Sequence, residues 1–187
     1  MVGSNSEEAR LFLAPVGAMD AIDEATLLAA TAGYGVPAEP TIRQYRNHRP
    51  DARPSDLMAA VVTDWFWRIP AIRLAEARSA APAATFMYEF TWRSPSFNGE
   101  LGACHGVELP FVFDTLDVAN TAPRLGASPP QAVADMVHAA WVRFIAHGEP
   151  GWAPYDTANR TTGLLDETLR VVDDPAGDER AVWDGHR

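Results

Sequence analysis

A single cysteine, Cys104, occurs among 187 residues, so no internal disulfide can form and nothing in the chain calls for an oxidising compartment. No apolar run approaches the roughly 18–20 residues that a membrane span needs. The first residues, Met1-Val2-Gly3-Ser4-Asn5, hold neither the basic region nor the apolar stretch of a secretory signal, which leaves a soluble, cytoplasmic protein as the expectation. Positive charge is also scarce. Fifteen basic against 25 acidic residues give a net charge of −10, whereas phosphate backbones require clustered cations, so no nucleic-acid partner is expected. With one cysteine no CxxC is possible, and no HExxH, GxGxxG or P-loop occurs; neither a metal nor a nucleotide cofactor is expected.

What the chain does contain is apolar material: 47% of its residues are apolar and 10% of all residues aromatic, enough for the core of one domain over 1–187. Most of it is patterned for helices. Ser6 can cap a short helix through Glu7 and Glu8. Residues 20–32 read as a helix capped by Asp20 and stopped by Gly33, and Thr41 to Asn47 as another. From Pro54 to about Ser79, Leu57, Val61, Trp65, Ile69 and Ile72 recur every three or four positions, with Pro70 expected to kink or split the helix near Ile69. Trp65, Phe66 and Trp67 read more readily as core than as part of the wall of a site. A further helix runs from Pro129 or Pro130 to about Ala146, ended by Gly148. One stretch, 84–92, alternates Phe86, Tyr88, Phe90 and Trp92 as a strand does. Residues 161–173 suggest a short hairpin, and the tail after Asp178 another helix. The fold class is therefore α/β and mostly helical, with one or two core strands and a short C-terminal hairpin.

The candidate chemistry lies in the loop after the strand, within GELGACHGVELPFVF. His105 adjoins Cys104, but neighbouring side chains diverge, and a thiolate needs its base across space. Cys104 is better read as a small buried hydrophobe. On composition alone His105 is more readily a structural histidine than a catalytic one, although in open α/β sheets sites form where loops leave the carboxyl ends of strands. His48 reads as surface, His138 and His147 as packing or surface, and His186 lies in the tail.

FMYEFTWRSP followed by GELGACHGVELPFVF resembles the C-terminal part of the type-B carboxylesterases, the α/β-hydrolase family that includes the para-nitrobenzyl esterases and the cholinesterases. The resemblance extends through TDWFWRIPAIRLAEA upstream and AWVRFIAHGEPGWAPYD and VVDDP downstream. It implies that His105, in a G-x-x-H-G-x-E signature, is the catalytic general base. At the other end GSNSEEARLF is similar to the family's acid-bearing turn and places the triad acid at Glu8, with Glu7 beside it where the family has aspartate and Ala9 where it has glycine. Glu108 matches the signature's second acidic position and reads as a buried hydrogen-bonding group that orders the loop. Chain order agrees, since α/β-hydrolases present serine, then acid, then histidine.

No serine in the chain sits in a G-x-S-x-G elbow, and no glycine run suits an oxyanion hole. The resemblance therefore implies a partial α/β-hydrolase domain. It supplies acid and base of a carboxylic ester hydrolase, is inactive alone, and has the missing N-terminal part of the enzyme as its partner beside a small ester substrate. Two rivals stand beside this reading: a non-catalytic interaction module on an esterase fold, and one half of a split esterase. Strand 84–92 would then belong beside Met1-Val2 in a sheet with an unpaired edge, which favours association. Purified chain is expected to elute from size exclusion as oligomer or aggregate, and a cooperatively melting monomer would contradict that.

Overall fold

In the computed structural model, which describes residues 1–118 and 120–186, a four-stranded sheet separates two apolar layers. Strands β1 (Val2–Asn5), β2 (Met87–Phe90) and β3 (Thr161–Leu165) run parallel, and β4 (Leu169–Asp173) returns antiparallel to β3 in the order β1-β2-β3-β4. The α/β class is as expected, but the sheet is larger than one or two strands plus a separate hairpin. The hairpin's first strand pairs with β2, Met87 opposite Thr162 and Phe90 opposite Leu165. β2 itself is shorter than 84–92.

Side-chain alternation on β2 divides the interior. Phe86, Phe90 and Trp92 lie in one apolar cluster, with Tyr88 packed against it, as the alternating pattern anticipates. This face is covered by α8 (Gln131–His147): Trp141 meets the Tyr88 ring edge-on at 4.9 Å and Phe144 meets Phe86 at 6.0 Å. α6 (Leu109–Val112) and α7 (Ala122–Leu125) add Phe111 and Leu125. α8 starts after Pro130 and ends at Gly148, whose φ of 81° gives the left-handed cap. Met87 points the other way, into a cluster with Leu27, Ile42, Tyr45, Leu57, Val61, Ile69 and Trp183.

Those residues come from α2 (Glu24–Gly33), α3 (Ala38–His48), α4 (Pro54–Thr63), α5 (Ile69–Ala77) and the stretch after α9 (Gly177–Ala181). Asp23 caps α2, accepting from the Thr26 N–H at 2.8 Å; Asp20, the expected cap, sits in a 3-10 turn over Ala18–Ala21. Glu7 and Glu8 fall in a turn before α1 (Arg10–Leu13) rather than in a helix capped by Ser6. A buried chain of polar groups ties this layer together. Trp183 Nε1 donates to the Tyr45 hydroxyl at 2.8 Å, Tyr45 donates to Asp64, and Arg68 grips Asp64 with two N–H groups at 2.6 and 2.9 Å.

Pro70 does split the long helix, and the split has a defined geometry. Asp64–Arg68 form a π-helical segment in which the Ile69 N–H donates to Asp64 O, five residues back. Proline at 70 has no N–H to offer the carbonyl of Phe66, and widening the turn removes the need for one. Among the described residues no helix is long and apolar enough to cross a membrane.

Gly163 on β3 is a point of close packing in the sheet. A Cβ there would lie 2.8 Å from the ring of Trp152, whose Nε1 donates to Met87 O at 2.9 Å. Gly163→Ala must displace that ring, and it is expected to cost about 1–3 kcal/mol, or several degrees of melting temperature for a chain of this size. Thermal unfolding by circular dichroism checks it; an unchanged midpoint would mean that the ring moves without cost.

Candidate active site

Parallel pairing sends the carboxyl ends of β1 and β2 to the same end of the sheet. The turn leaving β1 carries Glu7 and Glu8, and the loop leaving β2 carries His105. Backbone bonds join the two segments: Ser6 N–H to Phe90 O at 3.0 Å, Glu7 N–H to Ala103 O at 3.0 Å, and His105 N–H to Glu8 O at 3.2 Å. The side chains then meet. His105 Nδ1 lies 2.7 Å from Glu8 Oε2, across 97 residues of sequence. The other carboxylate oxygen accepts from the Asn5 N–H at 2.8 Å, which orients it.

Exposure differs sharply across the pair. The Glu8 side chain is 6% exposed and that of His105 is 48% exposed. Burial pushes the Glu8 carboxyl above its ordinary range, against the opposing pull of the Asn5 N–H and His105. An ionised Glu8 accepts, so Nδ1 carries the proton of the neutral imidazole and Nε2 is the acceptor nitrogen.

Of the two adjacent glutamates, Glu8 reaches the imidazole. Glu7 points away, to Arg10 and Arg93 at 2.8 and 2.7 Å. Glu108, half-buried rather than buried, accepts from Asn5 Nδ2, which also donates to Cys104 O at 2.7 Å. Asn5 thus ties Glu8, Cys104 and Glu108 to the end of β1, a role its place in a turn motif does not reveal. Cys104 is fully buried, and burial pushes its thiol up to about 12, so it offers no thiolate near neutrality.

The aromatic residues beside His105 depart from expectation. Phe66 is 53% exposed and Trp67 half-buried, so this pair is not core. The Trp67 ring lies 5.5 Å from the His105 ring and stacks on Phe12 at 5.9 Å, and Phe12 is itself 6.0 Å from His105 and 56% exposed. Trp67 lies off the apolar stripe through Leu57, Val61, Trp65, Ile69 and Ile72, and the structure sets it against His105.

The other histidines lie elsewhere. His48 contacts Asp178 at 2.6 Å on the surface, His138 Nδ1 lies 2.9 Å from Val112 O, and His147 and His186 are exposed. A cavity of about 620 Å³ opens beside Glu7, Arg10, Arg53, Asp56 and Arg93, and neither Glu8 nor His105 lines it. Among the described residues no group of three or more His, Cys, Asp or Glu side chains could hold a metal ion.

Comparison with known proteins gives consistent likenesses. The model of the carboxylesterase family matches residues 22–179. The para-nitrobenzyl esterase of Bacillus subtilis is 32% identical over 123 residues, covering 62% of this chain and 24% of that protein. The phenmedipham hydrolase of Pseudarthrobacter oxydans is 34% identical over 110 residues, 57% of this chain and 22% of that protein. A solved carboxylesterase structure from Geobacillus stearothermophilus superimposes with a TM-score of 0.81 at 30% identity, covering 97% of this chain and 39% of that one. The chain thus spans well under half of each relative.

The raised carboxyl of Glu8 carries a signed consequence. Its contribution to stability is fully present below the unfolded-state pKa and is lost as pH rises through the higher folded-state value. Glu8→Gln removes that loss. The stability of the variant relative to the parent chain is therefore expected to rise as pH increases above the ordinary glutamate range, measured by urea titration; a flat difference would contradict the charge-burial account.

Proposed function

The chain belongs to the carboxylesterase family, and from that premise we propose that it supplies the general base, His105, and the orienting carboxylate, Glu8, of a carboxylic ester hydrolase. The observation that carries this is the 2.7 Å contact between His105 Nδ1 and a buried Glu8 already held by the Asn5 N–H. With Nδ1 engaged, Nε2 is the nitrogen left for proton transfer. The nucleophilic serine and the oxyanion donors come from outside these 187 residues, as the lack of a G-x-S-x-G elbow in the chain suggests.

The chemistry follows from that division. Nε2 takes the serine proton as the oxygen attacks the ester carbonyl, and the imidazolium formed is stabilised across Nδ1–H by Glu8. The same proton passes to the departing alkoxide, leaving an acyl-serine. In the second half His105 takes a proton from water, which attacks the acyl group, and returns it to the serine oxygen. Phe12 and Trp67 form a flat apolar wall against the imidazole, suited to an acyl or alcohol group with an aromatic or extended aliphatic part.

Two measurements test this. The purified chain alone is expected not to hydrolyse p-nitrophenyl acetate, and turnover that disappears in His105→Ala would overturn the external nucleophile. Joined to the N-terminal portion of a related carboxylesterase, it is expected to gain activity, with His105→Ala reducing kcat by on the order of 10³-fold or more. Retention of activity in that variant would overturn the base assignment. In the same assembly Trp67→Ala is expected to raise KM for an aromatic ester by about tenfold while changing hydrolysis of ethyl acetate, which has no aromatic or extended part, little. Equal effects on both substrates would remove Trp67 from the substrate wall.

A further inference from the structure

We propose that Glu7 is a positioning residue: its carboxylate locks the loop carrying His105 onto the turn carrying Glu8, and so sets the distance between base and acid. This rests on the reading of Glu8 and His105 as an acid–base pair. Glu7 itself touches neither the imidazole nor the place where an ester would lie.

Its side chain is 17% exposed and spans three attachments. Oε1 receives Arg10 Nε at 2.8 Å and Arg93 at 2.7 Å, and Oε2 accepts the Ala103 N–H at 2.9 Å. The Glu7 N–H donates to Ala103 O at 3.0 Å, so backbone and side chain of one residue hold both polar groups of the other. Ala103 is two residues before His105. Arg10 extends the tie, donating to Glu100 O at 2.9 Å and pairing with Asp56 on α4 at 2.7 Å. Both ends of the segment 100–103 are thereby fixed to the turn after β1.

Gly102 shows that the loop is shaped around this carboxylate. It has φ +57°, and a Cβ built on it would lie 2.2 Å from Glu7 Oε2. Any side chain at 102 would occupy the space through which Glu7 reaches the Ala103 N–H. Adjacent glutamates therefore emerge on opposite sides of one backbone, Glu8 towards the imidazole and Glu7 towards the loop's anchor. A hydrogen bond of 2.7 Å survives only small displacements of either partner, so slack at residue 103 is transmitted to Nδ1.

The experiment reads the pair directly, without need of a substrate. In chain labelled with ¹⁵N-histidine, the His105 Nδ1–H bonded to Glu8 should give a far-downfield proton resonance, assigned by its loss in His105→Gln. Glu7→Ala is expected to raise its exchange rate with solvent about fivefold, the equivalent of one ordinary hydrogen bond, while the melting temperature stays within a few degrees. Gly102→Ala, which drives a methyl group into the same carboxylate, is expected to do likewise. Glu100→Ala, which removes a neighbouring carboxylate bound to Arg53 and not to the loop backbone, is expected to leave the resonance unchanged. If Glu7→Ala does not fold, Arg93→Ala at the exposed end of the tie supplies the same readout, with about a twofold increase expected. An unchanged rate in Glu7→Ala and Gly102→Ala, or an equal increase in Glu100→Ala, would overturn the positioning role. A parent chain with no such resonance would instead overturn the Glu8–His105 pair.

Discussion

Parallel pairing of β1 with β2 is the constraint from which the rest of the structure follows. Val2 lies opposite Met87 and Asn5 opposite Phe90, so the two segments leaving those strands start side by side. One is a turn of four residues and the other a loop of more than a dozen, yet they are stitched at Glu7–Ala103 and Glu8–His105 by main-chain bonds. Had β2 run the other way, the loop would leave from the opposite end of the sheet. Side-chain chemistry here is a product of strand direction.

Charge is distributed with similar economy around the turn. Glu8 is placed where water is excluded, and that burial raises its carboxyl even though one backbone N–H and one imidazole pull it the other way. Its neighbour Glu7 faces two guanidinium groups instead. The adjacent carboxylates thus take different work from their surroundings alone. Phe12 and Trp67 complete the setting, since stacked rings against an imidazole restrict its rotation and keep one side of it apolar.

Much of this was legible in the sequence. The alternation of Phe86, Tyr88, Phe90 and Trp92 reports a real face of β2, and the helix over 131–147 announces its own ends with Pro130 and Gly148. The meeting of Glu8 and His105 was reached through resemblance, because no periodicity links residues 97 apart. What stayed hidden has physical reasons. The hairpin over 161–173 is legible, but not that its first strand TTGLL, buried on every residue and without polar alternation, pairs with β2. The cap falls on Asp23 rather than Asp20 because Asp20 is taken up in the 3-10 turn over Ala18–Ala21, which has no periodicity of its own to announce it. Trp67 reads more readily as core from its aromatic character alone, since it lies off the stripe through Trp65 and Ile69, and the proline that signals a break does not say how wide the turn before it becomes.

The 97 residues between Glu8 and His105 also bear on how the molecule folds. Helices α2 to α5 can form from local contacts, while the pairing of β1 with β2 has to close a loop that contains all of them. The hydrogen bond between carboxylate and imidazole therefore belongs to the late, long-range part of the folding reaction. A collapsed intermediate can have nearly all its helix and none of its acid–base pair, so that competence for chemistry reports on completion of the sheet.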